Sequence, residues 1–509
     1  MRKLFAYLVV FTLLFSGCRS AEHKIEGTQI KLDNNKITVD GNEITNDHTQ
    51  AVYSAKDIVF YLSGQDFTYG EGKKEDEHEQ SEADAHTVVH ITKPGRYVLS
   101  GQLSLGQIAV DLGEEAETDP NAVVTLILND VDITCNVAPA IIFYNVYECC
   151  NNEEETATKD VNTEKAGANI IIADGTENNI NGSYVAKIYK SYELSEDGTE
   201  IVDSKKLHKY DGAFYSKKTM NITGGDKGTG ILNIKAENEG LNSELHLTIN
   251  GGIINITSGN DGINTNEDNV SVTTINGGTL NILCDGGTGE GDGIDSNGWL
   301  VINGGTITAQ ACSTSGDAGI DSDMGIYING GKVIASGNML DHIAGGNQTY
   351  AVFSFANRQN GGITYTLKNS ADKVVGEYSP ANSFSYLIVA GDELTDDDYT
   401  FWQGNTQLTG SQAKNMQDET PQGEKPEIPN GEQNIQGAPI EIPEGMERPE
   451  KPNGDLPQGE RPEMPEDMTP PDNKGEMMGE NMIPSGETST TFTITKGENQ
   501  FYNVSPVAS

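Results

Sequence analysis

Asn250-Gly251-Gly252, Asn276-Gly277-Gly278, Asn303-Gly304-Gly305 and Asn329-Gly330-Gly331 are four copies of one turn. They are spaced by 26, 27 and 26 residues, and a fainter copy, Thr223-Gly224-Gly225, lies 27 residues before the first. An alternating apolar stretch follows each of the next three: Ile253-Ile254-Asn255-Ile256, Thr279-Leu280-Asn281-Ile282 and Thr306-Ile307-Thr308-Ala309. Val333-Ile334-Ala335 follows the last. A second signature comes later in the repeat: Asp261-Gly262-Ile263-Asn264-Thr265, Asp292-Gly293-Ile294-Asp295-Ser296 and Gly319-Ile320-Asp321-Ser322. Self-similarity at a fixed period marks a stacked architecture.

The stretches are short, rich in Val, Ile and Thr, and bounded by Gly, Asn and Asp. No segment carries an apolar period of 3.6, which excludes helical repeats, and the Leu-rich signature of leucine-rich repeats is missing. The expected fold is all-β: a right-handed, single-stranded parallel β-helix over most of residues 86–345. Its coils stack about 4.8 Å apart. Alternate apolar side chains fill the interior, Gly supplies positive φ at the turns, and Asn can stack in ladders along the axis. Residues 350–400 read as a C-terminal β cap, which covers the unpaired strand edge that a solenoid otherwise exposes. Residues 146–165 and 190–209 read as polar insertions between coils.

The N-terminus reads as a signal peptide, 1–17. Arg2-Lys3 precedes an apolar run from Leu4 to Phe15, too short to span a bilayer comfortably. Phe15-Ser16-Gly17-Cys18 resembles a lipobox, with Phe15 where Leu is usual, and this implies lipidation of Cys18. The expected location is therefore the cell envelope, anchored to a membrane through Cys18 and facing the cell surface. Residues 18–50 are expected to be a linker and 51–410 the binding domain. From 411 to 485 the chain holds 13 of its 18 prolines, with 17 acids against 6 bases. That composition predicts a disordered insertion, before a final strand in 486–509.

The formal charge of −44 argues against nucleic acid and against anionic membrane surfaces. Cys135, Cys149, Cys150, Cys284 and Cys312 remain after Cys18, an odd number without zinc spacing. Free, buried thiols are expected at Cys284 and Cys312, and oxidation of the adjacent Cys149-Cys150 is open. The eight histidines are scattered, and none makes a metal-spaced pair.

Three further phrases carry a family resemblance: Ile91-Thr92-Lys93-Pro94-Gly95-Arg96-Tyr97-Val98-Leu99-Ser100-Gly101, Ala173-Asp174-Gly175-Thr176-Glu177-Asn178 and Gly228-Thr229-Gly230-Ile231-Leu232-Asn233-Ile234. With the NGG and DGI coils, the chain from about 50 to 400 resembles the bacterial carbohydrate-binding β-helix proteins. These bind cellulose and acidic sugars and are similar in fold to family 9 pectate lyases. The resemblance implies Ca2+ and a polysaccharide partner, polygalacturonate-like or cellulose. The Pro-rich insertion has no place in that pattern.

The DGI signature serves as a register mark. The position before Gly reads Asp211, Glu239, Asp261, Asp292, then Ala318 with Asp317 beside it. The second position after Gly reads Phe214, Asn242, Asn264, Asp295, Asp321. Like charges one coil apart repel by about 1 kcal/mol even in water. Such a column calls for a counter-charge, and calcium, a hard ion that takes oxygen ligands, suits it. Acids at Gly-rich turns also serve the turns themselves. The expected metal ligands are Asp261, Asn264, Glu290, Asp292, Asp295, Asp317, Asp321 and Asp323. Asp211, Glu239 and Asn242 are expected to bind ligand.

The expected function is calcium-dependent, non-catalytic binding of polysaccharide by a monomer at the bacterial surface. A polysaccharide lyase is the alternative, with Lys217 or Lys218 as the base beside calcium. Residues 250–331 contain no Lys or Arg, which disfavours it. A structural surface adhesin is a third reading. Tyr184, Tyr189 and Tyr192 stack on sugars or, more simply, pack a loop.

Overall fold

The computed structural model describes residues 25–412 and 487–507. The expected signal peptide, Cys18 and all but the first two residues of the Pro-rich segment lie outside them. The described chain is all-β. Its helical content is one six-residue α-helix, Gln80–Ala85, and three single-turn 3-10 segments.

Three parallel ladders run through the repeats. The first joins the strands before the NGG turns: Ala168–Ile172, Met220–Gly224, His246–Ile249, Val272–Ile275, Trp299–Ile302 and Gly325–Ile328. The second joins the strands after those turns: Glu177–Gly182, Ile231–Ala236, Ile253–Ser258, Thr279–Cys284, Thr306–Gln310 and Lys332–Gly337. The third runs through the DGI signature: Gly106–Val110, Ile141–Phe143, Gly212–Ser216, Glu239–Ser243 and Ile263–Thr265, continued by single bridges at Ile294 and Ile320.

Equivalent residues of successive repeats sit opposite one another. Ile254, Leu280, Ile307 and Val333 form one column, each 0% exposed. Burying each such side chain contributes about 1.5–3 kcal/mol, so the period-2 pattern locks the register. A slip of one residue would turn every apolar side chain outward. At the NGG turns the second glycine has φ between 87° and 100° at Gly252, Gly278, Gly305 and Gly331, a region costly for any residue with a Cβ. The asparagines of these turns form an amide ladder. Asn276 donates to Asn250 at 2.8 Å, Asn303 to Asn276 at 2.9 Å, and Asn329 to Asn303 at 2.8 Å.

Antiparallel pairing appears at the C-terminal end, so the sheets are mixed. Phe384–Ala390 runs antiparallel to Lys332–Gly337 and to Tyr350–Gln359. Glu498–Pro506 pairs parallel with Tyr350–Gln359 and antiparallel with Thr406–Gln412. This region has its own core, built on Phe353, Tyr365, Phe384, Phe401, Phe492 and Phe501.

One expectation needs correction. Residues 25–50 do more than link, because Thr28–Leu32 pairs in parallel with Gly95–Leu103 and buries Ile30 and Leu32. The polar stretch 190–209 lies in an antiparallel hairpin, Val185–Leu194 with Ile201–Tyr210, set between the ladder strands Glu177–Gly182 and Gly212–Ser216.

Candidate metal and glycan site

The third ladder sets the acids in register. Ile263, Ile294 and Ile320 pair in sequence, are fully buried, and form the inner column. The residue after each, Asn264, Asp295 and Asp321, therefore points to the other face, together with Asn242. Glycine is required inside this signature for space. A Cβ on Gly262 would meet Ile282 Cγ2 at 2.1 Å, and one on Gly293 would meet the Gly319 carbonyl at 2.4 Å. Successive repeats thus approach closely where the acids gather.

One register assignment needs correction. Gly212, not Asp211, stands opposite Glu239, and Tyr215, not Phe214, opposite Asn242. The inner column decides this, since Phe214 pairs with Leu241 and both are fully buried. Asp211 is thereby displaced from the acidic column.

Asp292, Asp295 and Asp321 each offer a carboxylate oxygen, and the three oxygens lie within 4.8 Å of one another. Asp261 is 7% exposed, and its Oδ1 accepts the Asp292 N–H at 2.7 Å. Asp292 Oδ1 in turn accepts the Ala318 N–H at 2.6 Å. Burial, then Asp295 and Asp292, raises the Asp261 carboxyl well above the usual range. Burial and then Asp321 push Asp292 up to about 9. Burial, then Asp341 and Asp295, push Asp321 up to about 7. Burial, then Asp323 and Asp341, push Asp295 up to about 6.

Asn264 is 9% exposed and donates to Glu239 Oε1 at 3.1 Å and to Asp261 Oδ2 at 3.3 Å, while its own Oδ1 has no hydrogen-bond partner among the described residues. A buried, unpaired acceptor beside clustered carboxylates is the donor set that a hard cation takes. The residues present fit calcium. Asn242 Nδ2 donates to Glu239 Oε2, which ties those two into the same column.

The other expected ligands divide. Asp317 sits at the edge, where its Oδ2 accepts the Gly291 N–H at 2.5 Å and the Ser315 hydroxyl. Asp323 is exposed and acts on Asp295 through space. Glu290 is not brought into the group. It is exposed in a glycine-rich loop, where its carbonyl accepts from Thr288 and Cys284. Asp341 was missed by sequence reasoning, yet its carboxylate accepts the Ser322 N–H at 3.0 Å and raises Asp321. Its signal was hidden because it follows Asp321 by 20 residues, off the repeat period.

Lys217 and Lys218 both pair with Glu117, at 3.1 and 2.9 Å. They follow Gly212–Ser216, three ladder steps from Asp295, or roughly 14 Å at the usual strand spacing. Tyr184 and Tyr189 bond Asp76 and Glu71 through their hydroxyls, at 2.5 and 2.9 Å, which is loop packing.

The outer face of the second ladder carries a second asparagine column. Asn233 donates to Asn179 at 2.9 Å, Asn255 to Asn233 at 2.8 Å, and Asn281 to Asn255 at 2.8 Å. Beside it runs an open groove of about 440 Å³, lined by Asn181, Asn233, Ile234, Lys235, Asn255, Thr257 and Asp285. Thr257 precedes Asp261 across the turn that joins the second ladder to the third.

A family model described as carbohydrate-binding domain-containing protein matches residues 85–350. A solved structure titled as a polysaccharide lyase-like protein from C. thermocellum is 22% identical, covering 63% of this chain and 99% of its own, with a TM-score of 0.33. No curated protein sequence matches the chain.

Proposed function

Because this chain belongs to the family of carbohydrate-binding domain-containing proteins, we propose that it binds an acidic polysaccharide through calcium and leaves the polymer intact. The three parallel ladders are read as the faces of a right-handed β-helix, whose length suits a linear polymer. The observation that carries the calcium reading is the orphaned Asn264 Oδ1 amid Asp261, Asp292, Asp295 and Asp321. Those residues would hold the ion, with Asp341 beside them. Calcium neutralises the column and offers a uronate carboxylate a positive partner on a chain of net charge −44. The groove supplies amides for sugar hydroxyls and one cation, Lys235.

The non-catalytic reading rests on the lack of Lys and Arg in the stretch that carries the clustered carboxylates. A lyase needs a Lys or Arg beside the metal to abstract the proton α to the uronate carboxyl. Residues 250–331 contain none, and Lys217 and Lys218 are engaged by Glu117 away from the carboxylates. A surface adhesin shares the metal site and lacks only the sugar. Lipidation of Cys18 would hold many copies at the surface and raise avidity for a long polymer.

The test is binding to polygalacturonate, cellulose and neutral glycans, in calcium and in chelator, while absorbance reports unsaturated uronides. Calcium-dependent retention on polygalacturonate without absorbance change supports the proposal. Steady release of unsaturated products would replace it with the lyase, and no binding to any glycan would leave the adhesin.

A further inference from the structure

Cys149 and Cys150 lie in the loop that follows Ile141–Phe143. Their sulfurs are 3.5 Å apart and both residues are partly exposed. Three groups surround them. The Glu148 carboxylate is fixed, with Oε1 accepting the Cys150 N–H at 2.9 Å and the Thr219 hydroxyl at 2.8 Å, and Oε2 accepting the Thr219 N–H at 2.8 Å. The Asn162 carbonyl faces both thiols, at 3.9 and 3.7 Å. His246, 2% exposed, lies near Cys150 and favours its thiolate. The other ring nitrogen of His246, Nδ1, accepts the Val272 N–H at 3.0 Å. An Nδ1 that accepts leaves the proton of the neutral ring on Nε2, so His246 presents an N–H donor to the sulfur.

We propose that Cys149 and Cys150 form a redox-active dithiol that closes reversibly to a disulfide by exchange with low-molecular-weight disulfides. The asymmetry of the pair assigns the roles. The Cys149 S–H and then the His246 N–H favour the thiolate at Cys150, lowering it to about 5, while Cys149 is held protonated by the same contact. A stabilised, accessible thiolate is the nucleophile of exchange. Cys150 S⁻ attacks one sulfur of R–S–S–R. The S–S bond breaks, the other half leaves as RS⁻, and a mixed disulfide remains on Cys150. Cys149 then loses its proton to solvent, and its sulfur displaces the second RS⁻. Two electrons and two protons pass from the dithiol to the external disulfide, giving two RSH.

Geometry makes the closed form reversible. Adjacent residues hold their Cα atoms about 3.8 Å apart, below the roughly 4.4–6.8 Å of ordinary bridges. A ring closed between neighbours is strained and readily reduced, which is the behaviour of labile disulfides rather than structural ones. A thiophilic metal is the competing occupant, since Glu148, Cys149 and Cys150 each offer a ligand atom and the three lie within 4.8 Å of one another. It is disfavoured because both Glu148 oxygens already accept hydrogen bonds and the His246 nitrogen toward Cys150 bears a proton.

The experiment uses the full chain, equilibrated over a range of glutathione disulfide to glutathione ratios, quenched, alkylated with N-ethylmaleimide and mapped by mass spectrometry. The expected result is one peptide holding residues 149 and 150 that loses both adducts together, two hydrogens lighter, and regains them when glutathione is restored. Cys149→Ser should trap glutathione on Cys150. In the unaltered chain, iodoacetamide should react at Cys150 at least tenfold faster than at Cys149 below pH 7, a readout that needs no variant. Equal alkylation of the two at every pH, with no bridged peptide at any ratio, would overturn the proposal. So would micromolar zinc that protects both thiols and abolishes bridging.

Discussion

The Asp261 carboxylate accepts the backbone N–H of Asp292 at 2.7 Å, so the acid of one repeat is pinned to the backbone of the next. That bond orients a charge that burial and its neighbours oppose. The column is therefore built in advance, and its occupants decide how stable it is.

Calcium should raise the melting temperature. A ligand that binds only the native state adds about 2.7 kcal/mol at a free concentration 100 times Kd, a shift of a few degrees for a chain this long. Asp292→Ala and Asp321→Ala should blunt that rise. In chelator near pH 7, Asp292→Asn should melt higher than the unaltered protein, because a carboxyl raised to about 9 must take up a proton on folding and an amide need not. Calorimetry with and without calcium checks this, and identical curves would remove the structural ion.

Stability in chelator should fall as pH rises. A carboxyl with a raised folded pKa keeps its proton in the native state after the unfolded chain has lost it. Its contribution is whole below about 3.9 and is lost as pH passes the folded value. For Asp295, Asp321 and Asp292 those values are about 6, 7 and 9. Melting temperatures measured from pH 5 to 9 should decline in chelator and flatten with calcium, and Asp321→Asn should reduce the slope. A chelator curve that climbs over this window would contradict the burial of these charges.

Lys235→Glu should weaken polygalacturonate binding about tenfold, equivalent to roughly 1.4 kcal/mol, with little change in melting temperature, since Lys235 is exposed. Isothermal titration measures it. Unchanged affinity would move the glycan off this groove.

Gly278→Ala should destabilise by about 1–3 kcal/mol, because Gly278 has φ 97° and an added Cβ would lie 2.8 Å from the Gly252 carbonyl. Gly316→Ala, in open space without positive φ, should be nearly neutral. Denaturant midpoints of the two variants test this contrast.

Much of this molecule was written in its period. NGG turns were legible because positive φ and coil spacing leave few substitutes for Gly, and Ile263, Ile294 and Ile320 were legible because a narrow interior demands apolar side chains. The slip at Asp211 was not, because a glycine marks a register only when the coil around it keeps its length, and Phe214 overruled it. Glu290 misled for a related reason: proximity in sequence to Asp292 does not survive a glycine-rich excursion. Asp341 fell off the period. The pairing of His246 with Cys150 joins positions almost a hundred residues apart, and no local pattern announces it. Thr28–Leu32 was too short and polar to stand out from a linker.

The reversal of chain direction at Phe384–Ala390 has a consequence for assembly. Lys332–Gly337 would otherwise offer its open edge to the first strands of another molecule, in the orientation that already repeats along its own axis. Each added copy would present the same edge again, and the chain would polymerise head to tail into filaments. An antiparallel strand laid across that edge breaks the repeat, so the stack stops there rather than seeding a fibre.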